Sequence, residues 1–125
     1  MVITGGCLCR SVRYSIRAAP IVTRICWCRV CQYIGAGSGT VNVCFPSPAL
    51  KVAGELRDYH MIADSSNVLR RRFCPACGTH LFSASEARPQ LIFVRVGTLD
   101  DPELPSWACF DERLPKVERQ PPPAA

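Results

Sequence analysis

Three tight clusters of cysteine constrain this chain more than any other feature of its sequence. The clusters are a C-x-C pair, a C-x-C-x-x-C triplet and a C-x-x-C pair, formed by Cys7 and Cys9, by Cys26, Cys28 and Cys31, and by Cys74 and Cys77. Thiolates at such spacings can close tetrahedrally around one soft cation, for which zinc is the usual choice. The two pairs supply four sulfurs for one closed site, whereas the triplet is one ligand short.

The cellular compartment decides whether these cysteines are read as metal ligands or as disulfides. The N-terminal segment MVITGGCLCRSV has no apolar stretch like that of an export signal, and the sequence has no apolar run of about 18 residues that could span a bilayer. We therefore expect a cytoplasmic protein without a membrane segment. In a reducing compartment these spacings favour metal or redox sites, and the odd count of nine cysteines agrees.

The two cysteine pairs predict a closed metal site with Cys7, Cys9, Cys74 and Cys77 as its ligands. Such a site would tie an N-terminal hairpin to a turn much later in the chain, and closing that long loop would stabilise the fold. Gly78, directly after the second pair, suits the left-handed turn of a zinc knuckle. The alternative is a group of free buried thiols.

The triplet predicts a site of a different kind, because Cys26, Cys28 and Cys31 leave one tetrahedral position open. Catalytic zinc sites keep such a position for water or for a substrate. A thiol bound there would be deprotonated at neutral pH and held as a nucleophile. The alternatives are a triplet without metal, a Cys28–Cys31 redox pair, or a fourth ligand supplied by the protein.

The remaining cysteines and the two histidines are not assigned to either site. Cys44 and Cys109 lie in the apolar contexts VNVCF and WACF, so we predict that both are core thiols. His60 and His80 are predicted to be surface residues or residues that support a site without binding the metal.

The charge of the chain is only mildly basic, with a formal net charge of +5. Its one dense basic run, at residues 70–72, is predicted to lie on a solvated strand edge or in a loop, and the alternative is that it binds an anion. No aromatic residue interrupts this run, and the sequence pI of about 8.8 is below that of typical nucleic-acid-binding domains. The composition therefore does not favour nucleic acid as a partner.

The hydrophobic pattern predicts a mainly β protein built of short strands. Residues 11–16 alternate polar and apolar side chains, residues 40–45 and 91–97 form apolar runs, and a further strand begins at 81–82. Eleven prolines and eight glycines leave no room for long helices, and residues 32–39 could form a short helical turn or a loop against a ligand. We expect one domain over residues 1–115 and a proline-rich, flexible tail over residues 116–125.

Four motifs follow one another in a recognisable order: GGCLCRSVRYS, ICWCRVC, FCPACGTHLF and VGTLDDPELP. In order and approximate spacing they resemble the glutathione-dependent formaldehyde-activating enzyme family, which shares its domain with centromere protein V, and the resemblance covers residues 4–115. It implies a mainly β domain of the β-tent type. It also implies a structural zinc on the two cysteine pairs and a second, labile zinc on the triplet.

The same resemblance implies an activity. Members of the family add formaldehyde to glutathione to give S-hydroxymethylglutathione, which is carbon–sulfur lyase chemistry read in reverse, and the triplet Cys26, Cys28 and Cys31 would be the catalytic residues here. The chain departs from the family pattern at Trp27, where the triplet usually reads C-H-C, and at Trp107 and Lys116, where a histidine and a tryptophan are common.

Two functions are therefore expected from the sequence. The first is a zinc enzyme that adds a small-molecule thiol such as glutathione to formaldehyde or a related electrophile, with the arginines at 70–72 or the backbone at 35–37 holding the carboxylates of the thiol. The second is a non-catalytic zinc module that binds protein or nucleic acid through the basic run. Neither reading predicts an oligomeric state.

Overall fold

The computed structural model describes residues 2–62 and 66–101, which form two antiparallel β-sheets and one short α-helix. The strands are β1 Ile3–Gly6, β2 Arg13–Ile16, β3 Val22–Cys26, β4 Thr40–Pro46, β5 Leu50–Ala53, β6 Arg57–Ile62, β7 Val68–Phe73, β8 His80–Ser85 and β9 Leu91–Arg95. The helix α1 spans Arg29–Ile34, and 3₁₀ turns span Ser47–Ala49 and Val96–Thr98. The prediction of a mainly β protein is confirmed.

Some of the predicted features lie outside the described residues. They are the C-terminal domain boundary, the tail 116–125, and Trp107, Cys109 and Lys116. Within the described ranges, no helix has the length and apolar character needed to cross a membrane.

The smaller sheet has the strand order β1-β2-β5. Its first two strands form a hairpin in which Ile3 pairs with Ile16 and Gly5 pairs with Tyr14. The apolar members of these strands, together with Val12, enter the hydrophobic core. Cys7 and Cys9 lie in the loop of this hairpin, so the hairpin positions the first cysteine pair.

The larger sheet has the strand order β3-β4-β9-β8-β7-β6. Its registers place Cys26 opposite Thr40, Asn42 opposite Arg95, and Arg71 between Tyr59 and Ser83. The pairing of β7 with β8 is interrupted at Phe73, where the register shifts. This irregularity lies immediately before the second cysteine pair.

The two faces of the larger sheet differ in chemistry. Because directly paired residues of antiparallel strands share a face, the registers assign each strand position to one side. One side is apolar and packs into the core through Val43, Phe45, Phe82, Ile92 and Val94. The other side, which we call the polar face, carries Thr40, Asn42, Arg71 and Arg95, all of them buried. The helix α1 lies against this face, since a hydroxyl of β4 bonds to Cys31 of α1.

The helix begins inside the cysteine triplet. Cys28 is its N-cap, with its Sγ accepting a hydrogen bond of 3.4 Å from the backbone N–H of Cys31. Gly35 ends it, and Ala36 follows in a left-handed conformation with φ of 56°. Of the two alternatives for residues 32–39, the helical turn is therefore present, but it starts at Arg29 and covers only the first part of that segment.

The prediction that the basic run at residues 70–72 lies on a strand edge or in a loop is wrong. Residues 70–72 do not form a strand edge or a loop, because they lie in β7, which has β6 on one side and β8 on the other. Arg71 is buried on the polar face, and Arg70 and Arg72 both pair with Asp58 on the opposite face. Three consecutive arginines suggested a solvated patch. Side chains of a strand alternate between the two faces of the sheet, so Arg71 lies in a different environment from Arg70 and Arg72.

Asp100 joins the end of the described chain to the β1–β2 hairpin. Its carboxylate accepts hydrogen bonds from Arg13 Nη1 at 3.0 Å and from Thr4 Oγ1 at 2.7 Å, and it forms a close ion pair with Arg13 Nη2. The donors Arg13 and Thr4 lower the pKa of Asp100 to about 2. This contact fixes the position of the hairpin that carries the first cysteine pair.

Asp100→Asn is expected to lower the free energy of unfolding by about 1 kcal/mol or less at neutral pH, because both partners are partly exposed to solvent. Above about pH 4, the ordinary pKa of the unfolded chain, the stabilisation from the carboxylate is fully present, and it is lost as the pH falls toward the folded value of about 2. Thermal melts of wild type and variant should therefore differ at pH 7 and converge on acidification. Glu55→Gln, an equal change of charge at an exposed residue, should show no such difference; a constant gap at all pH values would contradict the role of the ion pair.

Candidate metal centres

The four sulfurs of the two cysteine pairs converge at one place. The Sγ atoms of Cys7, Cys9, Cys74 and Cys77 all lie within 4.8 Å of one another. The Cys7–Cys9 distance is 3.6 Å and the Cys9–Cys74 distance is 3.7 Å. A tetrahedral zinc with Zn–S bonds of about 2.3 Å requires sulfurs about 3.8 Å apart. The sulfurs therefore fit such an ion.

Two similar turns, one around each cysteine pair, position the four sulfurs. In each, the residue directly after the second cysteine is left-handed: Arg10 has φ of 68° and Gly78 has φ of 77°. The N–H of Arg10 bonds to the carbonyl of Cys7 at 3.1 Å, and the N–H of Gly78 bonds to the carbonyl of Cys74 at 2.9 Å. The role foreseen for Gly78 is present, and Arg10 holds the equivalent position in the first turn, where an L-residue is less favoured.

Two hydroxyl residues not identified from the sequence complete the surroundings of this cluster. Ser11 Oγ lies 3.0 Å from the sulfur of Cys9 and 3.3 Å from that of Cys74. Thr79 Oγ1 lies 3.1 Å from the sulfur of Cys77 and accepts a hydrogen bond of 3.2 Å from the N–H of Leu8, so it links the two turns. The signal for both was in the sequence, since each follows the second cysteine of its pair by two positions.

Hydrogen bonds favour the thiolate form that a metal requires. The hydroxyl of Thr79 and nearby backbone groups lower the pKa of Cys77 to about 5. The sulfur of Cys7 accepts a hydrogen bond of 3.3 Å from the N–H of Val12, and that of Cys74 accepts one of 3.4 Å from Ala76. Donors directed at several sulfurs are a feature of a thiolate cluster, and they count against four ordinary buried thiols.

The triplet forms a second, separate cluster at the edge of the larger sheet. The sulfurs of Cys26, Cys28 and Cys31 lie within 4.8 Å of one another. Cys26 is the last residue of β3, Cys28 caps α1, and Cys31 lies in the first turn of α1 with 4% of its surface exposed. The chain thus turns from a strand into a helix around the three sulfurs. No fourth cysteine, histidine or carboxylate completes this group among the described residues.

A ring of hydrogen bonds on the polar face surrounds Cys31. Thr40 Oγ1 donates to the sulfur of Cys31 at 3.1 Å, and Asn42 Nδ2 donates to Thr40 Oγ1 at 3.0 Å. Arg95 Nη1 donates to Asn42 Oδ1 at 2.6 Å, and the Arg95 guanidinium also interacts with Cys31. Thr40, Asn42 and Arg95 were not identified from the sequence. Their positions in apolar strands gave a weak signal, because buried polar residues must find partners.

The electrostatic environment of the triplet favours a thiolate at Cys31. The pKa of Cys31 is lowered to about 5 because Cys26 and Thr40 donate to its sulfur, and the positive charge of Arg95 acts in the same direction. The pKa of Cys26 is raised, since its thiol donates to Cys31 and is itself partly buried. Burial lowers the pKa of Arg95, and the interaction with Cys31 opposes this effect.

The other residues singled out from the sequence have distinct surroundings. Cys44 is a buried thiol of β4, as predicted, and burial raises its pKa. Trp27 is partly buried, and its carbonyl accepts a hydrogen bond of 2.7 Å from Gln32. His60 is exposed, whereas His80 is partly buried and its ring lies 5.5 Å from that of Phe73. Neither histidine belongs to a sulfur cluster.

Comparisons with known proteins agree with this arrangement. A family-specific sequence profile, described as "Glutathione-dependent formaldehyde-activating enzyme", matches residues 2–112. A search of curated proteins found no match. Among solved structures, the crystal structure of a Rhodobacter sphaeroides protein has a similar fold, with a TM-score of 0.61 and 22% sequence identity over 78% of this chain and 87% of that chain. Because the profile match extends over most of the sequence and contains all three cysteine motifs, the chain belongs to the glutathione-dependent formaldehyde-activating enzyme family.

Proposed function

We propose that this protein is a zinc-dependent enzyme that adds a small-molecule thiol, such as glutathione, to formaldehyde or a related small electrophile. The observation that carries the proposal is the contrast between the two clusters. One offers four sulfurs and no free position, and the other offers three sulfurs beside buried polar residues. Closed sites of the first kind are structural in known zinc proteins, and open sites of the second kind are catalytic.

The chemistry of the donors suits zinc at both positions. Thiolate ligands select soft or borderline cations, and zinc is the usual one that has no redox activity. Cys7, Cys9, Cys74 and Cys77 would hold the structural ion, and Cys26, Cys28 and Cys31 would hold the second. When bound at the triplet, zinc would lower the pKa of a thiol in its fourth position and orient the sulfur for attack.

The reaction itself needs no oxidant or reductant. The thiol releases its proton to solvent, the thiolate sulfur forms a bond to the carbonyl carbon, and the π electrons move to the carbonyl oxygen. That oxygen takes up a proton from solvent to give a hemithioacetal, which is the S-hydroxymethyl compound when the electrophile is formaldehyde. The ring of Thr40, Asn42 and Arg95 holds Cys31 in one orientation, and Arg95 places a positive charge beside the sulfurs. These residues are positioning residues, because they act through the cysteine.

The basic run gives little support to the alternative of a non-catalytic binding module. Binding a polyanion through residues 70–72 would require an exposed set of cations. In the structure Arg71 is buried, and Arg70 and Arg72 share the carboxylate of Asp58. The exposed positive charge at this place is therefore smaller than the sequence suggests.

The test is a measurement of metal content and turnover on the same preparation. Protein purified under reducing conditions should contain up to two zinc ions per chain, one resistant to chelator and one removed by it. Consumption of formaldehyde in the presence of glutathione should follow the labile ion and return when zinc is added back. Turnover that does not change when the labile zinc is removed, or the absence of turnover with every thiol and aldehyde in fully loaded protein, would contradict the proposal.

A further inference from the structure

A pocket of about 420 Å³ lies between α1 and the strands β6, β7 and β8. Its wall on the helix side is formed by Val30, Tyr33 and Ile34, and its wall on the sheet side includes Tyr59, Met61, Arg71, Phe73 and His80. Tyr33 and Tyr59 are both largely exposed and form an aromatic rim. The volume is within the range of about 300–1,000 Å³ that small-molecule sites occupy.

Arg71 is the unusual residue of this pocket. Only 6% of its surface is exposed, and its Nε and Nη1 atoms are buried without a hydrogen-bond partner. The neighbouring arginines Arg70 and Arg72 form ion pairs with Asp58, and Arg71 does not take part in them. Burying an unpaired charge is costly, and arginines that are buried normally pair with an acid. Among the residues that the structure describes, this side chain therefore has no anionic partner.

The described groups nearby do not supply an anion to Arg71. Asp58 also lines the pocket, but its carboxylate is held by Arg70 at 2.5 Å and by Arg72 at 3.2 Å. His80 has a buried Nδ1 without a partner, and its pKa is lowered by burial and by Arg95 and Arg71, so it carries no negative charge and little positive charge at neutral pH. Arg95 already donates a hydrogen bond to Asn42 Oδ1 and also interacts with Cys31. Of the two buried arginines on the polar face, Arg95 therefore has partners among the described residues, whereas Nε and Nη1 of Arg71 have none there.

We propose that this pocket binds an organic carboxylate with an apolar body, that Arg71 forms the ion pair with the carboxylate, and that the thiol substrate of the enzyme carries this group. The planar guanidinium offers two parallel donors, which matches a carboxylate. Apart from Asp58 and His80, the remaining lining residues are aliphatic, aromatic or methionine side chains, which suit an apolar body better than the several amide and charged groups of a peptide thiol such as glutathione.

The last part of this inference rests on the proposed function, because it joins the pocket to the triplet. Ile34 of the pocket wall is three residues from Cys31 on the same helix, so the two positions are about 5 Å apart along its axis. Arg71 and Arg95 also repel each other electrostatically, and the charge of Arg71 lowers the pKa of Arg95. A ligand anchored at Arg71 would therefore extend toward the three sulfurs, where its thiol would react.

The experiment uses 3-phenylpropionate as the probe and 3-phenylpropionamide as its uncharged match, titrated into the full-length, zinc-loaded protein by calorimetry. The carboxylate is expected to bind at least about tenfold more tightly than the amide, because the charge-assisted bonds to Arg71 are lost in the amide. Arg71→Met should remove this preference. Arg70→Met, which removes a charge from the opposite face of the same strand, should retain it.

Thermal melts separate a ligand-binding role of Arg71 from a structural one. Replacing a buried, unpaired charge by an apolar side chain is often neutral or stabilising. Arg71→Met is therefore expected to melt no lower than wild type without ligand, and to show no rise in melting temperature with 3-phenylpropionate. A large fall in its melting temperature would overturn the inference, and so would equal binding of acid and amide by wild type, a result that does not depend on any variant folding.

Turnover distinguishes failure of this inference from failure of the proposed function. With formaldehyde as the electrophile, 2-mercapto-3-phenylpropionate should show a KM at least about tenfold lower than its amide in wild type and an equal KM in Arg71→Met. Carboxylate binding without turnover of any thiol would overturn the proposed activity and leave the pocket assigned. Turnover of glutathione that 3-phenylpropionate does not inhibit would support the activity and overturn the assignment of the pocket.

Discussion

Cys74→Ser is expected to abolish the folded state, or to leave protein that unfolds when a chelator is added. Cys74 is fully buried, and its sulfur lies 3.7 Å from that of Cys9 in the hairpin loop of the other sheet. Structural zinc sites contribute apparent binding free energies on the order of 10 kcal/mol, which is comparable with the whole stability of about 5–15 kcal/mol of a typical domain. Zinc content and thermal melting of the purified variant measure the effect.

Cys44→Ser is the matched control for this experiment. Cys44 is also a buried thiol, but it belongs to neither sulfur cluster. Serine there should cost about 1–3 kcal/mol for a buried hydroxyl and leave the zinc content unchanged. If Cys74→Ser melted like wild type and kept its full zinc content, the four-sulfur cluster would not be a structural metal site.

Cys28→Ser is expected to preserve the fold and to abolish the response to thiols. Serine is a favourable N-cap residue, so it can replace the contact between the sulfur of Cys28 and the N–H of Cys31 that begins α1. It is a poor zinc ligand, so the triplet should lose its ion. At a glutathione concentration about ten times the dissociation constant, wild type should gain about 1.4 kcal/mol of stability and the variant none.

Two measurements report the binding of glutathione. The melting temperature reports the gain in stability, and the fluorescence of Trp27, which stands between two of the three cysteines, reports occupancy of the site. S-methylglutathione serves as the control ligand, because it lacks a free thiol and should leave both readouts unchanged. If millimolar glutathione changed neither readout in zinc-loaded wild type, glutathione would be excluded as a ligand, and a different thiol would have to be sought.

The chemistry of the two clusters could be predicted because it is encoded at short range. Cysteines two or three positions apart in the sequence can share a cation in almost any fold, and spacing alone separated the pairs from the triplet. The β class was predictable from the apolar alternation and from the frequent prolines and glycines. The strands at residues 40–45 and 91–97 are present with their ends shifted, to Pro46 in the first and to Arg95 in the second.

The surroundings of the clusters could not be read from the chain, because they depend on which strands become neighbours. Thr40, Asn42 and Arg95 contribute to one ring only because β4 pairs with both β3 and β9, and no local pattern predicts that order. β3, β5 and β6 were not predicted as strands, and for β7 a strand edge was only one of two alternatives at residues 70–72. Much of β6 and β7 consists of charged and aromatic residues, which hide the strand pattern.

The basic run at residues 70–72 shows most clearly what the sequence determines and what the tertiary structure determines. The sequence by itself determined that three positive charges stand together and that seven cysteines are grouped for metal binding. Only the tertiary structure decided that Arg71 turns toward α1 while its neighbours turn to Asp58. The reason is physical: side-chain direction in a strand alternates residue by residue, but the sheet partners and the helix above it determine which direction is buried.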